Sequence, residues 1–182
     1  TFSKEQDVTL FMTLMAGINA LLHKYTAQND IIIGTPIAGR EHPDLENQLG
    51  LYLNTLAIRS QLKEESSFLD LVLEQKATLL GAYEHQSYPL DALVGKLNLQ
   101  RDTSRSALFD VLVVLQNQGQ LNNFNTQELI SIKVSDYDFK SKTSKIDMSY
   151  TFVETEELTL NIVYNTDIYD VYFIERMFSH YE

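Results

Sequence analysis

The sequence contains no cysteine, which removes disulfides, thiolate nucleophiles and cysteine-ligated zinc, and favours a reducing compartment such as the cytoplasm. Only three prolines occur in 182 residues. Together with 44% hydrophobic and 21% charged residues, this composition points away from disordered and membrane chains and toward a soluble globular one. The longest purely apolar runs are three to five residues, against the roughly 20 that a membrane-spanning helix needs. Basic residues are scarce as well, 14 against 25 acidic, for a formal net charge of -11. Such a surface repels phosphate backbones and anionic lipid, so neither nucleic acid nor membrane is an expected partner. The sequence starts at Thr1 without a basic and then apolar leader, which suggests a piece of a longer chain.

What remains is enough for one well-buried core: one domain, or one lobe of something larger. From Val8 to Tyr25 the residues Phe11, Leu14, Met15, Ile18, Leu21, Leu22 and Tyr25 recur at helical spacing, with Asp7 or Thr9 as a cap and Ser3 with Gln6 spaced as a capping box one turn earlier. DIIIGT, residues 30–35, reads as a strand buried on both faces. A turn-rich loop leads to a second strand in LGLYLNTLAIRSQL, reaching about Arg59. Ser66 or Ser67 caps a helix with an expected apolar stripe of Leu69, Val72, Leu73, Leu80 and Tyr83, interrupted by a snorkelling Lys76. YPLDALVGKL starts a short helix at Pro89, with Leu90, Leu93, Val94 and Leu97 on one side. LFDVLVVLQN is a buried strand, and ELISIKVSDYD, KIDMSYTFVE and ELTLNIVYNT are three more. In the second of these, Ile146, Met148, Tyr150 and Phe152 alternate as in a half-covered antiparallel strand. A last helix starts near Val171. No repeat or linker divides the chain, so the pattern predicts a single α/β lobe: a mixed, largely antiparallel sheet with helices packed on it.

Several familiar chemistries are missing. Gly34 and Gly39 fit neither phosphate-loop spacing, no GxSxG elbow occurs, and His23, His42, His85 and His180 are scattered without a metal-binding pattern. His85 and Asp91 in HQSYPLD could be an acid/base pair, but they flank Pro89 at a helix junction, where such side chains commonly satisfy backbone groups. Arg101, Asp102 and Arg105 in RDTSR read first as an ion-pair and capping cluster before a strand. Asp147 reads as a turn residue or the partner of an arginine. Asn54 differs, because an amide set in an apolar strand must bond to something. It is either a satisfied bulge or sheet edge, or a group that faces a cavity and orients a ligand carbonyl. Arg40, just past a glycine, could reach the same strand end.

Taken together, DIIIGTPIAGREHPDLENQLGLYLNT, EHQSYPLD and RDTSRSALFDVLVVLQN are similar to three ordered motifs of nonribosomal peptide synthetase condensation domains, and KIDMSYTF and LNIVYNTDIYD resemble that family's final strands. Ala107 stands where the family usually has Pro, and Leu90 where it has Phe. The resemblance implies one lobe of the chloramphenicol acetyltransferase type. The family's HHxxxDG motif, which sits in the N-terminal lobe, does not occur in this sequence. The chain thus looks like the C-terminal half of such a domain, inactive alone, with no catalytic residue of its own. The family joins aminoacyl or peptidyl thioesters held on phosphopantetheine arms of carrier proteins, so the implied partners are the N-terminal lobe, upstream and downstream peptidyl carrier proteins and an adenylation domain. No cofactor or metal is expected to bind directly. Carried onto this sequence, Asn54, Thr35, Gly34 and Arg40 become candidates to face the cleft, and His85, Asp91, Arg101, Asp102, Arg105 and Asp147 become structural. A silent docking or scaffolding lobe, or the matching lobe of an epimerization or heterocyclization domain, are the alternatives.

Overall fold

A computed structural model describes residues 2–45, 47–99, 105–117, 143–144 and 146–182. Among them, a five-stranded mixed sheet carries helices on one face. In chain order the elements are α1 (Phe2–Glu5), α2 (Leu10–Thr26), β1 (Asp30–Ile37), β2 (Asn54–Gln61), α3 (Phe68–Glu84), α4 (Leu90–Leu97), β3 (Val111–Asn117), β4 (Met148–Glu154), β5 (Leu158–Tyr164) and α5 (Val171–Tyr181). The strands are ordered β2-β1-β3-β4-β5. The β1–β2 and β4–β5 ladders are antiparallel, whereas β1–β3 and β3–β4 are parallel. The expected strand ELISIKVSDYD lies outside the described residues. No described helix is long and apolar enough to cross a membrane.

The long helices start where their sequence supplies a cap. Thr9 Oγ1 accepts from the Met12 N–H at 3.2 Å, and the Thr9 N–H donates to Met12 Sδ at 3.4 Å. Met12 therefore closes the box in place of the usual Glu or Gln. Ser3 does not cap. Its Oγ lies 2.9 Å from Thr13 Oγ1, and Asp7 takes a positive φ of 50° in the turn between α1 and α2. At α3 the cap is Ser67, whose Oγ accepts from the Asp70 N–H while the Asp70 carboxylate accepts from the Ser67 N–H and hydroxyl. Those bonds hold the Asp70 carboxyl below its ordinary value. Asp170 caps α5, accepting from the Phe173 N–H at 2.7 Å.

Side-chain alternation puts Ile31, Ile33 and Thr35 of β1 on the same face as their partners Ser60, Ile58 and Leu56 of β2. This is the face the helices cover. The main core joins Met15 and Ile18 of α2, Ile33, Val113, Tyr150 and Phe152 of the sheet, and Ile174 and Met177 of α5. Each such side chain contributes about 1.5–3 kcal/mol through removal of apolar surface from water. Met148, Tyr150 and Phe152 alternate with partly exposed neighbours as expected, but β4 starts after Ile146 and, antiparallel to β5, runs parallel to β3. A smaller cluster packs Met12 and Leu79 onto Leu56 and Ile58.

Two expectations need correction. The buried face of α3 consists of Leu71, Val72, Gln75 and Leu79; of the anticipated stripe Val72 is on it and Tyr83 is half-buried, whereas Leu69, Leu73 and Leu80 are exposed. A glutamine sits at the centre of the true face, so hydrophobicity alone rotates the reading. Lys76 lies beside that face and donates to the Asp7 carbonyl and carboxylate at 2.6 and 3.0 Å. Secondly, β2 starts at Asn54, so Leu49, Leu51 and Leu53 belong to an exposed loop and Asn54 opens the strand instead of interrupting it.

Candidate functional site

The β1–β2 register, with Pro36 opposite Thr55 and Ile37 opposite Asn54, brings four candidates to one end of the sheet. Gly34 and Thr35 lie near the end of β1, Arg40 follows it, and Asn54 begins β2. Each is held by a distinct contact. A Cβ at Gly34 would lie 2.3 Å from Cε2 of Phe109, so the glycine is what lets that ring lie against the strand. Two of the sequence motifs thus meet in space, one supplying the gap and the other the ring. Gly34 is also the β1 residue that pairs with β3, opposite Leu112.

Arg40 organises the loop that follows. Its guanidinium donates to the carbonyls of Leu45 and Gly50 and lies 4.5 Å from the centre of the Tyr52 ring, a cation–π arrangement that only a planar guanidinium makes along with two carbonyl bonds. Gly39 enters this loop at a φ of +62°, with the Tyr52 carbonyl only 2.0 Å from where a Cβ would stand. Both the left-handed backbone and the close approach require glycine there.

Asn54 is fully engaged. Its Nδ2 donates to the carbonyls of Gln86 at 2.8 Å and Tyr88 at 2.9 Å. Its Oδ1 accepts from the N–H of Thr55 at 2.9 Å and of Leu90 at 3.4 Å. The last bond explains how α4 begins. Pro89 stands at the N-cap and has no side-chain donor or acceptor to offer, so the amide of β2 caps the helix from outside. HQSYPLD is the segment being held.

Within that segment, His85 ends α3, its N–H donating to the Ala82 carbonyl and its carbonyl accepting from the Tyr88 N–H. Asp91 lies in the first turn of α4, where a carboxylate favours the helix dipole, and accepts from the Ala92 N–H at 3.0 Å. Both side chains are exposed, and among the described residues no hydrogen bond or ion pair joins them. The geometry is that of a junction, not of an acid/base pair.

Arg101 and Asp102 lie outside the described residues. Arg105 pairs with Asp110, just before β3. The Asp110 carbonyl accepts from the Met148 N–H, and that of Asp147 from the Asn165 N–H, so both aspartates stand where their strands begin, at the end away from Arg40 and Asn54. Nearby, Tyr169 has its hydroxyl pKa raised, first by burial and then by the carboxylates of Asp147 and Asp110.

Thr35, 3% exposed, lies at the floor of a groove of ≈ 480 Å³ between the helices and the carboxyl ends of β1, β3 and β4. Phe11, Ile37, Tyr83, Leu115 and Glu154 also line it. Phe11, Tyr83, Leu115 and Glu154 carried no signal in the sequence, because each looks like an ordinary helix or strand residue until the elements are assembled. No group of three or more His, Cys, Asp or Glu able to hold a metal occurs among the described residues.

Comparison with known proteins places this arrangement. A family model of the condensation domain matches residues 1–182. Gramicidin S synthase 2 of Brevibacillus brevis is 44% identical over 178 residues, which cover 97% of this chain and 4% of that protein. Tyrocidine synthase 3 of Brevibacillus parabrevis is 43% identical over 180 residues, 98% of this chain and 3% of that protein. The chain therefore spans only a small part of the relatives it matches. A holo four-domain nonribosomal peptide synthetase, solved with AMP and glycine, superposes at a TM-score of 0.85 and 24% identity, covering 96% of this chain and 14% of that one. That likeness is one of fold.

Proposed function

Because the chain belongs to the condensation-domain family, we propose that it is the C-terminal lobe of a domain that joins carrier-bound aminoacyl or peptidyl groups through an amide bond. The acceptor's amine attacks the carbonyl carbon of the donor thioester. A C–N bond forms, the C–S bond breaks, the nitrogen loses a proton and the sulfur leaves as a thiol. Donors and acceptors fixed in advance stabilise the developing oxyanion and amine, and a closed cleft keeps out water that would hydrolyse the thioester. In this reading the end of the sheet that carries Gly34, Thr35, Arg40 and Asn54 faces the cleft.

The substrates would arrive on phosphopantetheine arms of upstream and downstream carrier proteins, with an adenylation domain loading them and an N-terminal lobe supplying the HHxxxDG histidine. The proposed setting is the cytoplasm. Asn54 would act as a positioning residue, since all its amide bonds go to backbone of residues 55, 86, 88 and 90. His85, Asp91, Arg105 and Asp147 would hold the lobe together.

The observation that carries the proposal is the 44% identity to gramicidin S synthase 2 over 97% of the chain. The test is dipeptide formation from loaded carriers by the parent protein and by the 182-residue chain alone. The parent should yield product and the isolated chain none. A parent that binds both carriers yet forms no peptide would instead be a docking lobe, and product from the isolated chain would overturn the division of labour.

A further inference from the structure

We propose that the groove at the carboxyl ends of β1, β3 and β4 receives the amine-bearing aminoacyl group of the acceptor, with an apolar side chain seated on Thr35 and the amine at Glu154. The inference rests on the amide-forming reading and adds to it the place where the acceptor's side chain is judged.

The groove lies beside the seam of the sheet with the sparsest pairing. β1 and β3 pair at one position, Gly34 opposite Leu112, while the ladder between β3 and β4 runs from Val111 to Asn117. Ile37 and Leu115 lie beyond the Gly34–Leu112 position on their strands, and both line the groove. In open α/β sheets, ligands bind in crevices outside the carboxyl ends of the strands. The ≈ 480 Å³ of space lies within the roughly 300–1,000 Å³ typical of small-ligand sites.

The lining selects the chemistry. Phe11, Ile37 and Leu115 are half-buried and Tyr83 stands with them, which gives four walls that prefer an apolar side chain. At the floor, Thr35 is 3% exposed, and its hydroxyl has no hydrogen-bond partner among the described residues. A hydroxyl that lines the groove and is not taken up by a protein partner is a group that a ligand can engage. Glu154 is the one charged residue along the groove among the described residues, and it is exposed. A carboxylate alone there repels carboxylates and phosphates and attracts an ammonium group. Of the two reactants in amide formation, the acceptor is the one that always presents a free amine. The donor's nitrogen is free only when the donor is a single amino acid and is otherwise acylated.

The experiment uses the parent synthetase with a fixed donor and acceptors presented as glycyl- and leucyl-pantetheine. Leu115→Trp fills the groove, and the kcat/KM ratio of leucyl to glycyl acceptor should fall by roughly tenfold or more, the scale on which apolar pockets discriminate. Ile37→Ala enlarges it and should shift preference toward a phenylalanyl acceptor. Glu154→Gln, at an exposed strand end, should raise KM for acceptors without changing KM for an N-acylated donor. Melting temperatures separate folding losses from selectivity. Should the parent turn over while all three variants keep its acceptor preference and KM, the groove is not the acceptor site although the amide-forming reading stands. A parent inactive with every acceptor overturns both.

Discussion

The two ends of β2 handle buried polar groups in opposite ways. At its start, Asn54 gives every polar atom of its amide a partner, and those partners are backbone groups of the α3–α4 junction. Near its finish, Ser60 meets Asn19 of α2 and Gln75 of α3 in a cluster that solvent does not reach. Asn19 Nδ2 donates to Gln75 Oε1 at 2.8 Å, to Ser60 Oγ at 3.2 Å and to the Met15 carbonyl at 3.2 Å, and Ser60 Oγ donates to Gln75 Oε1 at 3.0 Å. Asn19 Oδ1 and Gln75 Nε2 are left without partners. Each unmatched buried atom costs about 1–3 kcal/mol. The first end therefore ties a loop in place at little cost, whereas the second fixes how three elements meet and gives up stability to do so.

The largest expected effect comes from breaking the buried end. Asn19→Asp would put a carboxylate in a site that no cation contacts among the described residues and should destabilise the chain by about 3–5 kcal/mol, read as a lower urea midpoint. Replacing both amides, Asn19→Leu with Gln75→Leu, should recover part of that loss, because removing both amides is cheaper than orphaning one, although the Ser60 hydroxyl then loses its two partners. If the double variant is as unstable as the single, the cluster is held by something other than its hydrogen bonds.

Between the two ends, Gly34→Ala should cost about 1–3 kcal/mol by overpacking against Phe109, and Phe109→Leu should relieve part of it in the double variant. Additive losses would mean that the two residues do not meet as described. Asn54→Ala is next, at about 1–2 kcal/mol, with faster proteolysis between residues 85 and 90 as the more specific sign, since the loop loses its tether. Unchanged cleavage there would return Asn54 to an ordinary strand residue.

The smallest effect is at the surface, where Arg59 donates to both carboxylate oxygens of Asp30 at 2.8 and 2.6 Å. Arg59 holds the Asp30 carboxyl below its ordinary 3.8. A lowered folded-state value contributes stability above 3.8 that is lost as the pH falls through the folded value. The melting-temperature gap between the native chain and Arg59→Gln should thus be small near neutrality and close below pH 3.8. A gap that widens on acidification would reverse the assignment.

How far the sequence could be read follows the same division. Local signals carried well: Thr9, Ser67 and Pro89 mark helix starts, Val171 opens α5, and the alternation from Met148 to Phe152 gives β4 its buried face. These depend on residues within one turn or one strand. The misread face of α3 turned on Gln75, a polar residue that becomes a core residue only when Asn19 and Ser60, 56 and 15 positions away, arrive beside it. The strand placed too early at Leu49 failed for a similar reason: Arg40 and Gly39 hold residues 45–52 as a loop, against their β-like alternation. At the site, the glycine and the asparagine were visible as anomalies, but the residues they serve, Phe109 and the 86–90 backbone, were visible only in three dimensions.

The narrow seam between β1 and β3 also bears on how the molecule opens. One side of it carries an eight-position ladder between β1 and β2 under α2 and α3; the other carries seven-position ladders joining β3, β4 and β5. Amide hydrogen exchange in the native state should therefore divide the sheet into two protection classes that meet at Gly34 and Leu112, because separating the halves breaks few ladder bonds while unzipping either half breaks many. α2 spans the seam, packing on Ile33 from one half and on Tyr150 and Phe152 from the other. Its slowest-exchanging amides would then report the work of keeping the two sheets together, and any partner that presses on this helix would be felt in both.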